Sequence, residues 1–584
     1  MNLHPRLMVA VACLVASSCG FFAAPPKVAD LTQEFVYTTL SFSPVTATGA
    51  GYRMHNGVPL DELLDSFETK DLEQQHEFYR AFRKKLDRVR RDELGPEDAA
   101  DWAILSSQTD LQLLEFERIQ SYRHNPTLYV ELLGRALFDP FALEYASLDE
   151  RYKHIVARLN KVPQLLGQAR QNLTDAPELW TQVAARENDG NRDLIQNVLR
   201  PNCPVSAANS FDRPAREALR AIDEFTEWLR TDLAQRKRDW KLGEEVYNVK
   251  FAAALAVGQT PRQVLADAEA ELKRVRGLME QIAVPLRQKG NSGAADPVKA
   301  VREALDEIAQ RHATRQEYFD HARRDLEEAR QFVRESRLVG LPARDNLKVI
   351  ETPEFMRGIY SVGGFNPAPP LQPKLGAFYW LTPIPDNWEA ERVESKLREY
   401  NHYGLKLLTI HEAIPGHYLQ FEYANDVQPQ ARRVLRALYG NNPYVEGWAV
   451  YATEAMVDAG YLGGDPALRL TWYKQYLRAV ANTILDIRMQ TGTMTDEAAM
   501  RLMIEETFQE KEEATAKLTR TKLSSAQLPT YFAGYRAWKR LADKVRRQRG
   551  SAFNLGAFHE QALRTGAVPM PELERILTGG TGSN

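Results

Sequence analysis

The stretch His411-Glu412-Ala413-Ile414-Pro415-Gly416-His417 sets two imidazoles around a carboxylate that directly follows the first of them. Two neutral imidazoles can hold a divalent ion, and a glutamate that is not itself a ligand can take a proton from water activated there. The familiar helical arrangement, His-Glu-x-x-His, spaces its histidines so that both project from one helix face. Here the second histidine comes six residues after the first, and Pro415 stands where the helical arrangement would place it.

Six residues of ideal helix turn by about 600°, which leaves the two imidazoles about 120° apart. An unbroken helix therefore cannot aim both at one ion. Pro415 has no N–H to offer the carbonyl of His411, and its ring collides with that carbonyl. Gly416 accepts backbone angles that other residues avoid. Two outcomes fit this chemistry. A bulge or break over 413–416 absorbs the extra residues and returns His417 to the side of His411. Alternatively, the helix simply ends at Pro415-Gly416 and His417 opens an unrelated element.

Further on, Tyr444-Val445-Glu446-Gly447-Trp448-Ala449-Val450-Tyr451-Ala452 reads as a second helix opening after Asn442-Pro443, with Glu446 in its first turn. A carboxylate from that helix would complete a His-His-Glu set and leave a fourth position open for water. A glutamate in a first turn also suits the positive end of the helix dipole, so Glu446 has a purely structural explanation too.

The elements that must position these residues are mostly helices. From Asp30 to about Glu335 apolar residues recur at helical intervals, as in Asp71–Leu94 and Pro261–Val284. Proline and glycine then cluster across Pro353–Pro385, which marks a seam between an N-terminal helical region, 31–350, and a region that carries the motifs, 351–577. Within the seam, Gly376-Ala377-Phe378-Tyr379-Trp380-Leu381-Thr382 has the composition of a strand.

The chain has 584 residues, 44% hydrophobic and 26% charged, as a globular protein with a large core requires. Its 75 basic and 78 acidic side chains leave a net charge of −3, without the clustered basic excess that nucleic-acid binding needs. The basic runs Arg236-Lys237-Arg238 and Lys544–Arg549 read as solvated helix faces.

Arg6 followed by the apolar run Leu7–Ala16 reads as an export leader, too short to span a membrane. Ser17-Ser18-Cys19-Gly20 resembles a lipoprotein processing site, although Ala16 stands where leucine is usual. The expectation is a leader over 1–19, a linker over 20–30, one domain over 31–577 and a tail over 578–584. The mature protein would then be periplasmic or bound to the cell envelope through a lipid on Cys19. Cleavage near Ala23-Ala24, releasing a soluble protein, is the alternative. Cys13 falls in the leader, which leaves Cys203 alone in the body and no intramolecular disulfide.

Taken together, these residues resemble a bacterial family catalogued as domain of unknown function 885. Its pattern His-Glu-x-x-Pro-Gly-His followed by Leu-Gln is met by His411–His417 and Leu419-Gln420, and its Glu-Gly-Trp-Ala-x-Tyr-Ala by Glu446–Ala452. A third block, approximately Pro-Gly-Gln-Ala-x-x-Tyr-x-x-Gly, keeps Gln527, Tyr531 and Gly534, with Ser525 and Ala526 in place of Pro-Gly. Phe558-His559 followed by Gly566, Val568 and Pro569 is similar to the closing segment, so the resemblance runs from Leu31 to Leu577.

That family is in turn similar to the gluzincin metallopeptidases. The resemblance implies a mainly α fold with a deep central cleft and a small β element beside the zinc helix. It implies one Zn2+ ion held by His411, His417 and Glu446, with Glu412 as general base. The reaction would be hydrolysis of a peptide or small amide, in the manner of a carboxypeptidase or dipeptidase. Tyr531 is the candidate donor to the oxyanion, with Tyr444 and Tyr379 as alternatives. Arg520 or Arg536 is a candidate for a substrate carboxylate. In gluzincins an edge strand near the zinc helix binds substrate backbone, a role open to 376–382; a buried connector is the other reading. Two departures bear on the surroundings of the ligands. Thr453, with Glu454 beside it, stands where the family often has an acidic residue, and Asp486-Ile487-Arg488-Met489-Gln490 replaces an Asp-x-x-x-His pattern. A zinc amidase or esterase acting on another substrate, and a non-catalytic helical surface lipoprotein, are the competing functions.

Overall fold

The computed structural model describes residues 25–288, 296–357 and 360–579. The leader expected over 1–19, Cys19 included, lies outside the described residues, as do 20–24 of the linker and 580–584 of the tail.

Helices make up most of the fold and strands very little, so it is mainly α as expected. Pro261–Gln288 buries Val264, Ala268, Leu272, Val275, Met279 and Ala283 along one stripe, the spacing that turns one helix face to a core. The segment expected over Asp71–Leu94 is shorter. The helix Thr69–Leu86 stops where its apolar stripe Tyr79, Phe82, Leu86 runs out, and a short 3-10 turn follows at Arg91–Glu93.

Three cores result. The smallest gathers Tyr318, Tyr379, Leu381, Leu397 and Tyr400. The second joins helices between Thr127 and Thr231 through Tyr129, Tyr152, Phe211 and Phe225, and reaches Phe355, Phe378 and Trp380. The largest draws on both sides of the seam, gathering Leu31 and Phe35 of the first helix with Trp448, Leu477, Trp538 and Leu577. Cys203 is a free, partly buried thiol. No helix among the described residues is long and apolar enough to cross a membrane.

The seam folds into a three-stranded sheet of Leu347–Glu351, Gly363–Asn366 and Ala377–Leu381. The strand expected at its edge is its centre. Ala377–Leu381 runs parallel to Leu347–Glu351, with Tyr379 opposite Val349, and antiparallel to Gly363–Asn366, with Tyr379 opposite Phe365. All five of its residues are buried, as an unbroken apolar run rather than an alternating one demands. Gly363–Asn366 forms the edge beside the cleft.

Six helices position the candidate site: His402–Glu412, His417–Ala424, Asn442–Asp458, Pro466–Gln490, Lys511–Leu523 and Pro529–Arg549. The Glu446 helix and the Tyr531 helix, Asn442–Asp458 and Pro529–Arg549, touch backbone to backbone. A Cβ on Gly447 would lie 2.3 Å from the Gly534 carbonyl carbon, and one on Gly534 would lie 2.0 Å from the Pro443 oxygen. Only glycine fits at either position. Because Gly534 lies one turn beyond Tyr531 and Gly447 follows Glu446, this contact sets the tyrosine beside the carboxylate.

Candidate metal centre

The first helix of the site opens on Asn401, whose side chain accepts from the N–H groups of Tyr403 and Gly404, each at 3.1 Å. It ends at Ala413, where φ is −117° and ψ −90°. A new helix starts at His417. The chain therefore breaks at Pro415-Gly416, with a cis Ile414–Pro415 bond in the turn, and both imidazoles still face one point. Gly416 N–H reaches back six residues to the Ile410 carbonyl at 3.0 Å. A Cβ on Gly416 would sit 1.9 Å from the His411 carbonyl oxygen, so the turn needs glycine for space. The Trp448 indole N–H closes the turn by donating to the Pro415 carbonyl at 2.9 Å. The helix that carries Glu446 thus also pins the loop that carries His417.

The Glu446 helix begins at Asn442, with the Asn441 side chain accepting from Tyr444 N–H at 3.1 Å. Glu446 is then the fifth helical residue, beyond the first turn expected from the sequence, where the dipole loses its influence. Its carboxylate lies 3.7 Å from His411 Nε2 and 3.4 Å from His417 Nε2. The two rings stand nearly perpendicular, 83° apart with centroids 4.8 Å apart. One ligand atom from each of the three residues fits within 4.8 Å of the others, and no other group among the described residues converges in this way.

Burial alone would raise the Glu446 carboxyl, but the facing His411 and His417 imidazoles outweigh it and hold the group well below the usual carboxylate range. Burial alone would depress His417, but Glu446, Glu412 and Gln420 together lift it above its ordinary value. The residues suit zinc. With zinc–ligand bonds of about 2.0–2.2 Å, two donors on a tetrahedral ion lie about 3.3 Å apart, close to the separations here. Glu446 Oε2 and His417 Nδ1 are buried without hydrogen-bond partners, and two imidazoles with a carboxylate are a zinc-like donor set.

His411 opens onto a cleft of about 860 Å³ that Glu412 and Tyr531 also line. Glu412 is 9% exposed, and its carboxylate has no hydrogen bond or ion pair with any described residue. The Tyr531 ring stacks on His411 at 6.2 Å and 17°. Its hydroxyl accepts from Arg520 Nη2 at 3.4 Å. Burial and the nearby Glu446 charge push the phenol up to about 12, so the hydroxyl keeps its proton to donate.

Gln527 has a position that sequence reasoning left without a role. Its amide donates to Glu446 Oε1 at 3.4 Å, and its carbonyl accepts from Arg520 Nη2 at 3.3 Å. Its place in the third sequence block, four residues before Tyr531, was the available signal. Tyr360, Trp472 and Lys517 also line the cleft, and no local pattern marked them.

Other candidates lie elsewhere. Tyr444 donates to the Ala562 carbonyl at 3.0 Å, and the Tyr379 hydroxyl pairs with Thr409 Oγ1 at 3.3 Å; both are core residues outside the cleft. Arg536 pairs with Glu271 at 3.5 Å, while Arg520 lines the cleft. Thr453 lines it too, but Glu454 turns away to Tyr535 at 2.9 Å and Lys539 at 2.7 Å. Asp486 is buried under the Tyr247 hydroxyl at 2.6 Å and Ala526 N–H at 3.0 Å, and burial pushes it up to about 6.

A family profile described as bacterial protein of unknown function (DUF885) matches residues 44–577. A solved structure of a "putative lipoprotein of unknown function" from Shewanella oneidensis is 28% identical, with a TM-score of 0.75 over 95% of this chain and 100% of its own. The "putative lipoprotein" from Colwellia psychrerythraea is 17% identical, with a TM-score of 0.76 over 94% of this chain and 98% of its own, a likeness of fold alone. Comparison with curated proteins gives no match.

Proposed function

The chain belongs to the DUF885 family, and we propose that it is a zinc-dependent hydrolase that cleaves peptide amide bonds. The observation that carries this reading is the convergence of His411, His417 and Glu446 beside Glu412, a carboxylate with no hydrogen bond or ion pair among the described residues. His411, His417 and Glu446 would hold a zinc ion, which when bound would supply Lewis acidity to acidify water and polarise a carbonyl. Glu412 takes the proton of the attacking water and passes it to the leaving nitrogen. Tyr531 donates its hydroxyl proton to the carbonyl oxygen as negative charge develops there, and Arg520 holds that hydroxyl from behind. Gln527 steadies Glu446, and Trp448 keeps His417 in place. The edge strand Gly363–Asn366 borders the cleft at Gly363, where an extended substrate backbone can lie.

We place the protein in the cell envelope, anchored by a lipid on Cys19. The Ser17-Ser18-Cys19-Gly20 sequence supports this, as does the description of the 28% identical Shewanella oneidensis structure as a putative lipoprotein.

The test has two parts. His411→Ala, His417→Ala and Glu446→Ala should each purify without stoichiometric zinc by elemental analysis; zinc retained in any of them removes that residue from the ligand set. A peptide-library digest read by mass spectrometry should show amide cleavage that a chelator abolishes. A zinc-loaded protein that cleaves no peptide would overturn the peptidase reading.

A further inference from the structure

Three cations line the cleft, and they differ in company. Arg478 is neutralised by Glu513, 2.5 Å from its Nη2, with Glu399 3.9 Å from its Nη1. Lys517 and Arg520 sit three residues apart on the helix that carries Glu513, and neither has a carboxylate within ion-pair distance among the described residues. Lys517 is only 7% exposed. Arg520 uses Nη2 for Gln527 and Tyr531, and its Nε and Nη1 have no hydrogen-bond partner among the described residues. Burial beside Arg520 and Arg478 pushes Lys517 down to about 7, and a lysine and an arginine crowded on one helix face beside a reacting centre, neither in an ion pair with a described residue, make a place that an anion would complete.

We propose that Lys517 and Arg520 form a subsite for the free C-terminal carboxylate of a peptide, making the protein a carboxypeptidase that releases the last residue. This inference rests on the hydrolase reading above. Its geometric basis is the contact between Arg520 and Tyr531. The hydroxyl that meets the scissile carbonyl is 3.4 Å from the guanidinium, and one residue of peptide spans about 3.8 Å between Cα atoms. A carboxylate held by Arg520 therefore belongs to the residue immediately after the scissile bond. The planar guanidinium suits a planar carboxylate, and the lysine adds a point charge. Leu407, Leu408, Val450 and Trp472 supply an apolar wall for the side chain of that terminal residue. In the reaction, water adds across the C–N bond. The acyl carbon gains the oxygen, the departing nitrogen gains a proton through Glu412, and the released amino acid keeps its carboxylate on Lys517 and Arg520.

The experiment uses the zinc-loaded full chain and three N-acylated peptides: one with a free C-terminal carboxylate, the same peptide amidated, and an amidated peptide ending in aspartate. The free acid should be cleaved with a kcat/KM at least about a hundredfold above the amide. In Lys517→Met that ratio should collapse to within about tenfold, whereas Lys517→Arg, which keeps the charge, should retain most of it. Lys517→Gln replaces the methionine variant if that one fails to fold. Calorimetry on the Glu412→Gln protein should show the acid binding and the amide not.

Equal cleavage of acid and amide would overturn the subsite and leave the hydrolase standing. Cleavage of the amidated aspartyl peptide as fast as the free acid would assign the carboxylate to a side chain and overturn the carboxypeptidase proposal. Acid-selective binding that Lys517→Met abolishes, with no turnover of any peptide, would support the subsite and overturn the hydrolase reading instead.

Discussion

Glu412 and Glu513 are both buried carboxylates on the wall of one cleft, and they live in opposite surroundings. Glu513 is enclosed by partners, with Arg478 at 2.5 Å and the Tyr400 hydroxyl at 3.1 Å. Burial works to raise its pKa, but Arg478, Lys396 and Lys517 outweigh that and hold it at about 2. Glu412 adjoins His411 in sequence and has no partner at all among the described residues. The cations repeat the contrast, Arg478 paired and Lys517 with Arg520 unpaired. A charge network that closes on itself belongs to the fold, because each member already has the counter-charge that burial requires. A buried charge left open toward a cavity points to a ligand that completes it. Removing members of the two sets should therefore affect different properties.

The largest effect is expected at the open carboxylate. Glu412→Gln keeps the side-chain shape and removes the base, so kcat on a cleaved peptide should fall roughly a thousandfold. Zinc content and melting temperature should stay at the wild-type level. A variant that retains its kcat would remove Glu412 from proton transfer and end the contrast.

The closed carboxylate should behave in the reverse way. Glu513→Ala leaves Arg478 buried without its main counter-charge, which typically costs about 3–5 kcal/mol of stability. A lowered urea midpoint with an unchanged slope would show it. Replacing both partners, Glu513→Leu with Arg478→Met, should recover part of the loss, because the Arg478 guanidinium is then no longer buried without its counter-charge. A single-variant loss below about 1 kcal/mol would mean that the network contributes little to the fold.

The sequence revealed the two sets unequally. His411, Glu412 and His417 were legible because their types and spacing already contain the chemistry, and Pro415-Gly416 announced that the helix could not continue. The reason for Gly416 was not legible, since it depends on the His411 carbonyl 1.9 Å from where a Cβ would be. Glu446 was found, but its helix starts on the Asn441 cap, earlier than Asn442-Pro443 suggested, and this shift removes the dipole explanation. Ala377–Leu381 was recognisable as a strand, but its place at the centre of the sheet was not, because the pairing partners on either side come from Leu347–Glu351 and Gly363–Asn366. Tyr531, Tyr444 and Tyr379 are the same residue type; the third sequence block favoured Tyr531, and the close contact at Gly447 and Gly534 is what sets it beside Glu446. Glu513 and Lys517 were invisible for a similar reason. On a helix of alternating charges, sequence does not tell which face meets a cavity or which partner arrives from another helix.

A smaller effect tests the donor that stacks on His411. Tyr531→Phe preserves the ring and removes the hydroxyl, so kcat should drop about 10- to 100-fold. KM should move by no more than about twofold, since the hydrogen bond strengthens only as charge develops on the oxygen. A change confined to KM would make Tyr531 a binding residue and transfer oxyanion stabilisation to another group.

The smallest effect concerns acid stability and isolates Glu513 from the rest of the fold. Its folded pKa of about 2 lies below the ordinary 4.5, so the group stabilises the fold fully above the ordinary value. As pH falls below that value the unfolded chain takes up a proton that the folded chain still refuses, and the contribution is lost progressively down to the folded pKa. Glu513→Gln has no such proton to take up. The variant should therefore be less stable than the wild type near neutral pH, and the gap should narrow by about 1 kcal/mol between about pH 6 and about pH 3.5. Urea midpoints at a series of pH values measure it. Curves that stay parallel through that range would show that Arg478 does not hold the carboxylate in its charged form, and Glu513 would then lose its standing as the closed counterpart of Glu412.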